Sequence, residues 1–198
     1  MILGYHVIFS AYGFWLPNDP RGSWSDFVAS WELFRFGPAT KVDVRHSVAR
    51  KPHDRAVRLA AKRALKYAPV SFSGIQARAI ARGFGQSAAR GGVTVWACTV
   101  LPEHVHLVIA RHTCKVEQIV NAFKGAATRQ LLAEQMHPFA DHATPEKGTP
   151  SCWARKAWKV FLDSEKAILR AIRYVEENPV KEGKLHQSWR FVRPYLCS

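Results

Sequence analysis

The sequence predicts an α+β protein, ferredoxin-like, in which an antiparallel sheet carries helices on one face. Three observations support this. Apolar segments of strand length at 4–11, 93–101, 104–111 and 157–162 alternate with longer segments of helical period. Only Pro102-Glu103 separates the second and third strands, which makes them a hairpin. The order strand, helix, helix, hairpin, helix, strand, helix is satisfied by an antiparallel sheet with its helices segregated.

Taken in order, Gly4-Tyr-His-Val-Ile-Phe-Ser-Ala11 reads as the first strand. Residues 13–52 hold no sustained period; Gly13, Pro17, Asn18, Asp19, Pro20, Arg21 and Gly22 mark turns, and Trp15, Trp24 and Trp31 punctuate the tract. The expectation is a single domain over 1–198 with an irregular insertion at about 13–52. Asp54 is a candidate N-cap for a helix over 54–67 that stops before Pro69. Ser73 followed by Gln76 fits a capping box, opening a helix to about Ala89 that Gly91-Gly92 ends. Gly83 and Gly85 weaken its later turns. Thr113 opens a helix of about 115–136 whose apolar side holds Val116, Ile119, Val120, Phe123, Ala127 and Leu131. Three prolines and a glycine make 137–152 a loop, and Ala157–Leu162 is the last strand. Asp163 or Ser164 caps a closing helix that ends at Asn178-Pro179.

Charge narrows the function. Lys+Arg number 29 against 15 Asp+Glu, a net +14, and basic surfaces of this strength meet nucleic acid or anionic membranes. Lys41, Arg45, Arg50, Lys51, Arg55, Arg58, Lys62, Arg63 and Lys66 against Asp43 and Asp54 put +7 within 41–66. No apolar run is long enough to span a bilayer, and no basic region with a signal-peptide core opens the chain. The expectation is a soluble, cytoplasmic protein with nucleic acid as partner and no membrane. The cysteines at 98, 114, 152 and 197 form no Cys-x-x-Cys pair, which argues against a structural zinc site or a disulfide framework. Cys98 reads as core filler.

Two constellations carry chemistry. In Val100-Leu-Pro-Glu-His-Val-His-Leu-Val-Ile109, His104 and His106 are two apart on a strand and share a face. Two imidazoles so placed can share one metal ion. On the closing helix Tyr174 lies at the margin of the stripe Ile168, Ala171, Ile172 and Val175, with Asn178 one turn further along the same edge. By spacing alone, Asn178 reads as a helix stop before Pro179 or as a metal ligand, and Tyr174 as a rim-of-core tyrosine or a nucleophile. His6 reads as a structural histidine on the first strand, near enough to neighbour the site.

Leu101-Pro-Glu-His-Val-His-Leu-Val108 followed by Tyr174-Val-Glu-Glu-Asn-Pro-Val-Lys-Glu-Gly183 resembles the two hallmarks of the HUH single-strand DNA transposases, in particular the REP-associated tyrosine transposases. Tyr5-His-Val7 and Tyr12-Gly-Phe-Trp-Leu-Pro-Asn-Asp-Pro-Arg-Gly22 are similar to segments in part of that branch, as is Trp158 ahead of Phe161. Glu103 departs from the asparagine common there, and the tracts 23–52 and 137–156 do not align with the family. The resemblance implies metal-dependent nicking and strand transfer on single-stranded or hairpin DNA by a monomer or homodimer. It implies Tyr174 as nucleophile, and His104, His106 and Asn178 as ligands of magnesium or manganese. A phenol is only about a thousandth ionised at neutral pH, so an activating group is needed, and no dedicated base stands out. Lys124, Arg129, Arg155 and Lys159, with Arg45 and Lys51 from the basic tract, are DNA-binding candidates. In Trp153-Ala-Arg-Lys-Ala-Trp-Lys159 the aromatics read as base-stacking platforms or as core. The alternative function is a catalytically silent basic protein that binds DNA or RNA through a ferredoxin-like sheet. A two-histidine phosphoesterase needs paired His-x-Ser/Thr strands, and His142-Ala-Thr144 and His186-Gln-Ser188 lie in loop and tail sequence.

Overall fold

The structure, a computed structural model, describes residues 1–42, 48 and 51–196. Its chain forms two compact units, one of Met1–Ala11 with Ser71–Ser198 and one of Tyr12–Val70. The second unit takes in the irregular tract and the helix after it.

In the first unit β1 (Gly4–Ser10), β2 (Val95–Val100), β3 (His104–Ala110) and β4 (Trp158–Leu162) form one antiparallel sheet in the order β2-β3-β1-β4. β3 lies between β1 and β2, the split arrangement of a ferredoxin-like sheet. The α+β class expected from the sequence is the one found. The layering differs at one element. In the second unit, α1 is Arg55–Arg63; the first unit's helices are α2 (Gly74–Gly91), α3 (Val116–Ala133) and α4 (Glu165–Lys181). α2 and α3 cover one sheet face, where Phe9 meets Phe84 edge-on at 6.0 Å and Phe84 stacks on Phe123 at 5.4 Å. α4 covers the other, packing Ile168, Ala171 and Val175 with Ala97, Val108 and Leu162. The reason lies in the strands: β3 is apolar on both faces, with Val105, Leu107, Val108 and Ile109 all buried, so neither face can be left to water.

The caps follow the sequence closely. Ser73 Oγ accepts from Gln76 N–H while Gln76 returns a bond to Ser73 N–H, completing the capping box of α2. Asp54 caps α1, which ends at Arg63, earlier than the expected 67. α3 starts close to the expected 115, with Lys115 and not Thr113 at its N-cap, and ends at Ala133, short of the expected 136. Gly83 is a packing device: a Cβ there would meet Ala126 O at 2.7 Å and Ala127 Cα at 2.8 Å, so its absence lets α2 and α3 touch backbone to backbone. In the second unit Leu16, Val28, Leu33 and Ala61 form a small core of their own. A buried Asp19–Arg21 pair, with the guanidinium 4.0 Å over the Trp15 ring, holds the Pro-Asn-Asp-Pro-Arg-Gly turn.

The largest departure is at the end of α4, which runs through Pro179 to Lys181 instead of stopping at Asn178. Proline has no N–H for the carbonyl four residues back, here that of Val175. Thr99 Oγ1 on β2 donates to that carbonyl at 2.6 Å. The hydroxyl replaces the missing helix bond and fixes α4 to the sheet. Thr99→Val keeps the shape and removes the donor, leaving a buried carbonyl unsatisfied. It should lower unfolding free energy by about 1–3 kcal/mol in denaturant titrations, with Thr99→Ser close to wild type.

Candidate active site

The strand alternation that buries Val105 and Leu107 under α2 and α3 turns His104 and His106 toward α4. Their ring centroids are 4.9 Å apart. The sheet register then adds a third imidazole. His6 on β1 is within 3.1 Å of His106, Nε2 to Nδ1, and the two rings stack at 5.3 Å. Tyr174 lies over this pair, its ring 5.6 Å from that of His106 and 5.7 Å from that of His6. At 45 % exposure its phenol is open to solvent, while Asn178 beside it is buried. Lys181 Nζ stands 5.7 Å from the Tyr174 ring and pairs with Glu177 at 2.8 Å.

The i, i+4 edge of α4 continues beyond Asn178 to Glu182, whose Oε1 is 3.9 Å from His104 Nε2. Asn178 therefore sits along the helix edge between the turn that meets His106 and the turn that meets His104. Burial holds the pKa of His104 and of His6 at about 4 and that of His106 well below its ordinary value, with the neighbouring imidazoles adding to the last. All three rings are neutral at pH 7 and keep a lone pair each. Burial also raises the Glu182 carboxyl; nearby Lys184 opposes this shift and Glu103 adds to it.

Two neutral imidazoles with an amide on the facing helix edge are donor types that a divalent cation accepts. Among the described residues no group of three or more His, Cys, Asp or Glu side chains is placed to hold a metal ion. The bond between His6 and His106 engages Nδ1 of His106 and leaves its Nε2 for a ligand, the outer support that metal-binding imidazoles commonly have.

Other expected site residues fall differently. Lys124 is buried, and its ammonium bonds the carbonyls of Ala154 at 2.8 Å and of Arg155 and Lys156 at 3.3 Å. It fixes the chain before β4 and does not face a groove. Trp153 is core, 5.5 Å from Phe9 and 4.9 Å from Phe72, with its indole N–H on Thr128. Arg129, Arg155 and Lys51 are exposed, and Lys159 pairs with Glu117. Arg45 lies outside the described residues. Glu182 carries no expectation in the sequence, and His6 is expected there as a structural histidine that neighbours the site. A helix prolonged by one turn past Pro179 would have exposed the first, and pairing of the first and third strands the second.

The antiparallel sheet thus offers paired histidines to a helix-borne tyrosine. The chain belongs to the IS200-like transposase family, whose sequence model matches residues 65–178. Among solved structures it is similar to a REP-associated tyrosine transposase bound to a REP hairpin, at 12 % identity and a TM-score of 0.49, over 96 % of this chain and 74 % of the other. It is also similar to a candidate transposase from Deinococcus radiodurans R1, at 17 % identity and a TM-score of 0.40, over 89 % and 91 %. No curated protein matches the sequence.

Proposed function

We propose that this transposase nicks and rejoins single-stranded or hairpin DNA through a covalent 5′-phosphotyrosine at Tyr174. The observation that carries the reading is the edge-on approach of Tyr174 to His106 and its tilted approach to His6, on the sheet face that also holds His104. His104, His106 and Asn178 would hold magnesium or manganese. When bound, such an ion supplies neutralisation of the charge that develops on the phosphoryl oxygens. The phenol of Tyr174 releases its proton as its oxygen forms the new bond to phosphorus, and the 3′ oxygen leaves with the bonding electrons and takes up a proton. Because the phosphate stays esterified, a 3′ hydroxyl can reverse the step without an outside energy source. His6 is a positioning residue in this scheme, fixing the His106 ring and its tautomer.

Arg129, Arg155, Lys159, Lys51 and Arg45 are proposed to contact DNA in a cytoplasmic monomer or homodimer. No helix among the described residues is long and apolar enough to cross a membrane. The test is nicking of a labelled single strand that folds into an imperfect hairpin. Cleavage should require magnesium or manganese and stop on chelation. Binding should weaken steeply as salt rises, because neutralised phosphates release counterions. Equal affinity for blunt duplex and single strand, with no cleavage of either, would leave the silent binding protein as the better reading.

A further inference from the structure

The family sequence model covers residues 65–178 and leaves most of the compact unit Tyr12–Val70 outside it. Its surface has two unusual features. One is a groove of about 480 Å³ at the C-terminal end of α1, lined by Leu59, Lys62, Arg63, Leu65, Tyr67 and Pro69. That volume is within the range of about 300–1,000 Å³ that holds small organic groups. The other is a pair of aromatic rings turned to water. The 3-10 helix Trp31–Phe36 buries Leu33 in the unit's core, where Ala61 of α1 also packs. Trp31 and Phe34, eclipsed at i and i+3, point outward at 83 % and 53 % exposure with their rings 5.5 Å apart.

We propose that the unit Tyr12–Val70 is a second DNA-binding surface, which holds unpaired nucleotides by their bases and phosphates without regard to sequence. The charge argument comes first. Arg55, Arg58 and Lys62 follow one another at i+3 and i+4 spacing on α1, so its successive turns offer cations to a backbone running alongside, and Lys66 follows in the segment after the helix. Of the unit's described carboxylates, Asp19 pairs with Arg21, Asp26 with Lys41 and Asp54 caps α1, while Glu32 bonds Ser30 and also feels the charge of Lys66. None lines the groove. The surface is therefore complementary to a polyanion.

The rings decide which polyanion. Lys62 Nζ lies 5.5 Å from the Phe14 ring and Lys66 Nζ 5.2 Å from the Tyr67 ring, with Tyr12 meeting Tyr67 edge-on at 6.0 Å. Cations interleaved with aromatic and apolar surface suit a strand whose bases are free to stack, since every base has a π face. A duplex hides those faces, and an acidic peptide has no use for them. The inference rests on the DNA-processing role proposed above and adds to it a site remote in sequence from the Tyr174 motif.

The test uses the full chain and an oligothymidylate of about 15 nucleotides, long enough for such a site. The exposed-face variant Lys62→Glu/Arg63→Glu/Lys66→Glu should lose about tenfold or more in affinity near 0.1 M salt, and its salt slope should fall by about 2, as expected for three lost phosphate contacts on a single strand. Tyr67→Ala should weaken binding with little change in slope. An oligothymidylate carrying 4-thiothymidine, irradiated with the wild-type protein, should crosslink to peptides within 31–34 or 59–69. That arm does not depend on a variant folding. Equal affinity of wild type and triple variant, with crosslinks confined to the sheet unit, overturns the proposal. So does displacement of the oligonucleotide by polyglutamate of equal charge as effectively as by unlabelled strand, the behaviour of an acidic-peptide surface. A wild type that crosslinks in this unit yet nicks no strand supports the proposal and sinks the proposed reaction; nicking without binding of oligothymidylate does the reverse.

Discussion

Tyr174→Phe is expected to abolish the covalent protein–DNA adduct while leaving DNA affinity nearly unchanged. Wild type, incubated with magnesium or manganese and a labelled single strand carrying the right site, should give a band that survives denaturation. The substitution removes one oxygen and keeps the ring, so the contacts of 5.6 and 5.7 Å with His106 and His6 persist. Tyr174→Ser should not restore the adduct, because its oxygen stops several ångströms short of the phenol position. An adduct mapped to Tyr5, Tyr12, Tyr67 or Tyr195 would move the nucleophile elsewhere and refute the assignment. Loss of the band should amount to loss of essentially all turnover, since no alternative oxygen nucleophile occupies that position in the proposed reaction.

The histidine pair should have an effect of the same size, read differently. His104→Ala or His106→Ala should eliminate divalent-dependent cleavage and raise the manganese dissociation constant beyond the reach of titration, with the sheet intact by circular dichroism. Asn178→Ala removes one neutral ligand and should weaken manganese binding less. His6→Ala keeps every proposed ligand and removes the group that fixes His106, which should cost about 10–100-fold in metal affinity. His6→Gln, which can still accept from His106, should recover part of it. Burial holds the pKa of His6 and His104 at about 4, so protons compete little for these rings above pH 5. The same depression has a stability consequence. Each of these imidazoles binds a proton in the unfolded chain near pH 6.5 and resists one when folded, so stability is greatest above pH 6.5 and falls as pH drops toward 4. Unchanged manganese binding in His104→Ala would exclude that ring as a ligand.

The parts of the site legible in the sequence are those set by local periodicity. His104 and His106 are two apart on a strand whose other residues are apolar, and Tyr174 and Asn178 are one turn apart on a helix with an unbroken stripe. Both relations survive any error in tertiary packing. His6 is different, because its meeting with His106 depends on β1 pairing with β3 across a hundred residues, and nothing local specifies that register. Lys124 failed for a related reason. Its helix position was legible, yet the chain that crosses it at 154–156 and engages its ammonium belongs to an irregular segment with no period to read. Helices on one sheet face is the natural reading for two crossover helices, and α4 escaped it because it follows the last strand and has no crossover to make. The Pro179 stop misled by taking proline's missing donor as an ending, when a side chain from the sheet supplies the donor instead.

That substitution of donors has a kinetic meaning. With Thr99 holding Val175, the segment that bears the phenol is tied to the strand beside the paired histidines of the same polypeptide. On the proposed reaction, attacking group and proposed ligands then meet at an effective concentration set by covalent connection, which dilution cannot reduce. First cleavage becomes first order in protein, and association of two copies would matter only for what is done with the two DNA ends afterwards.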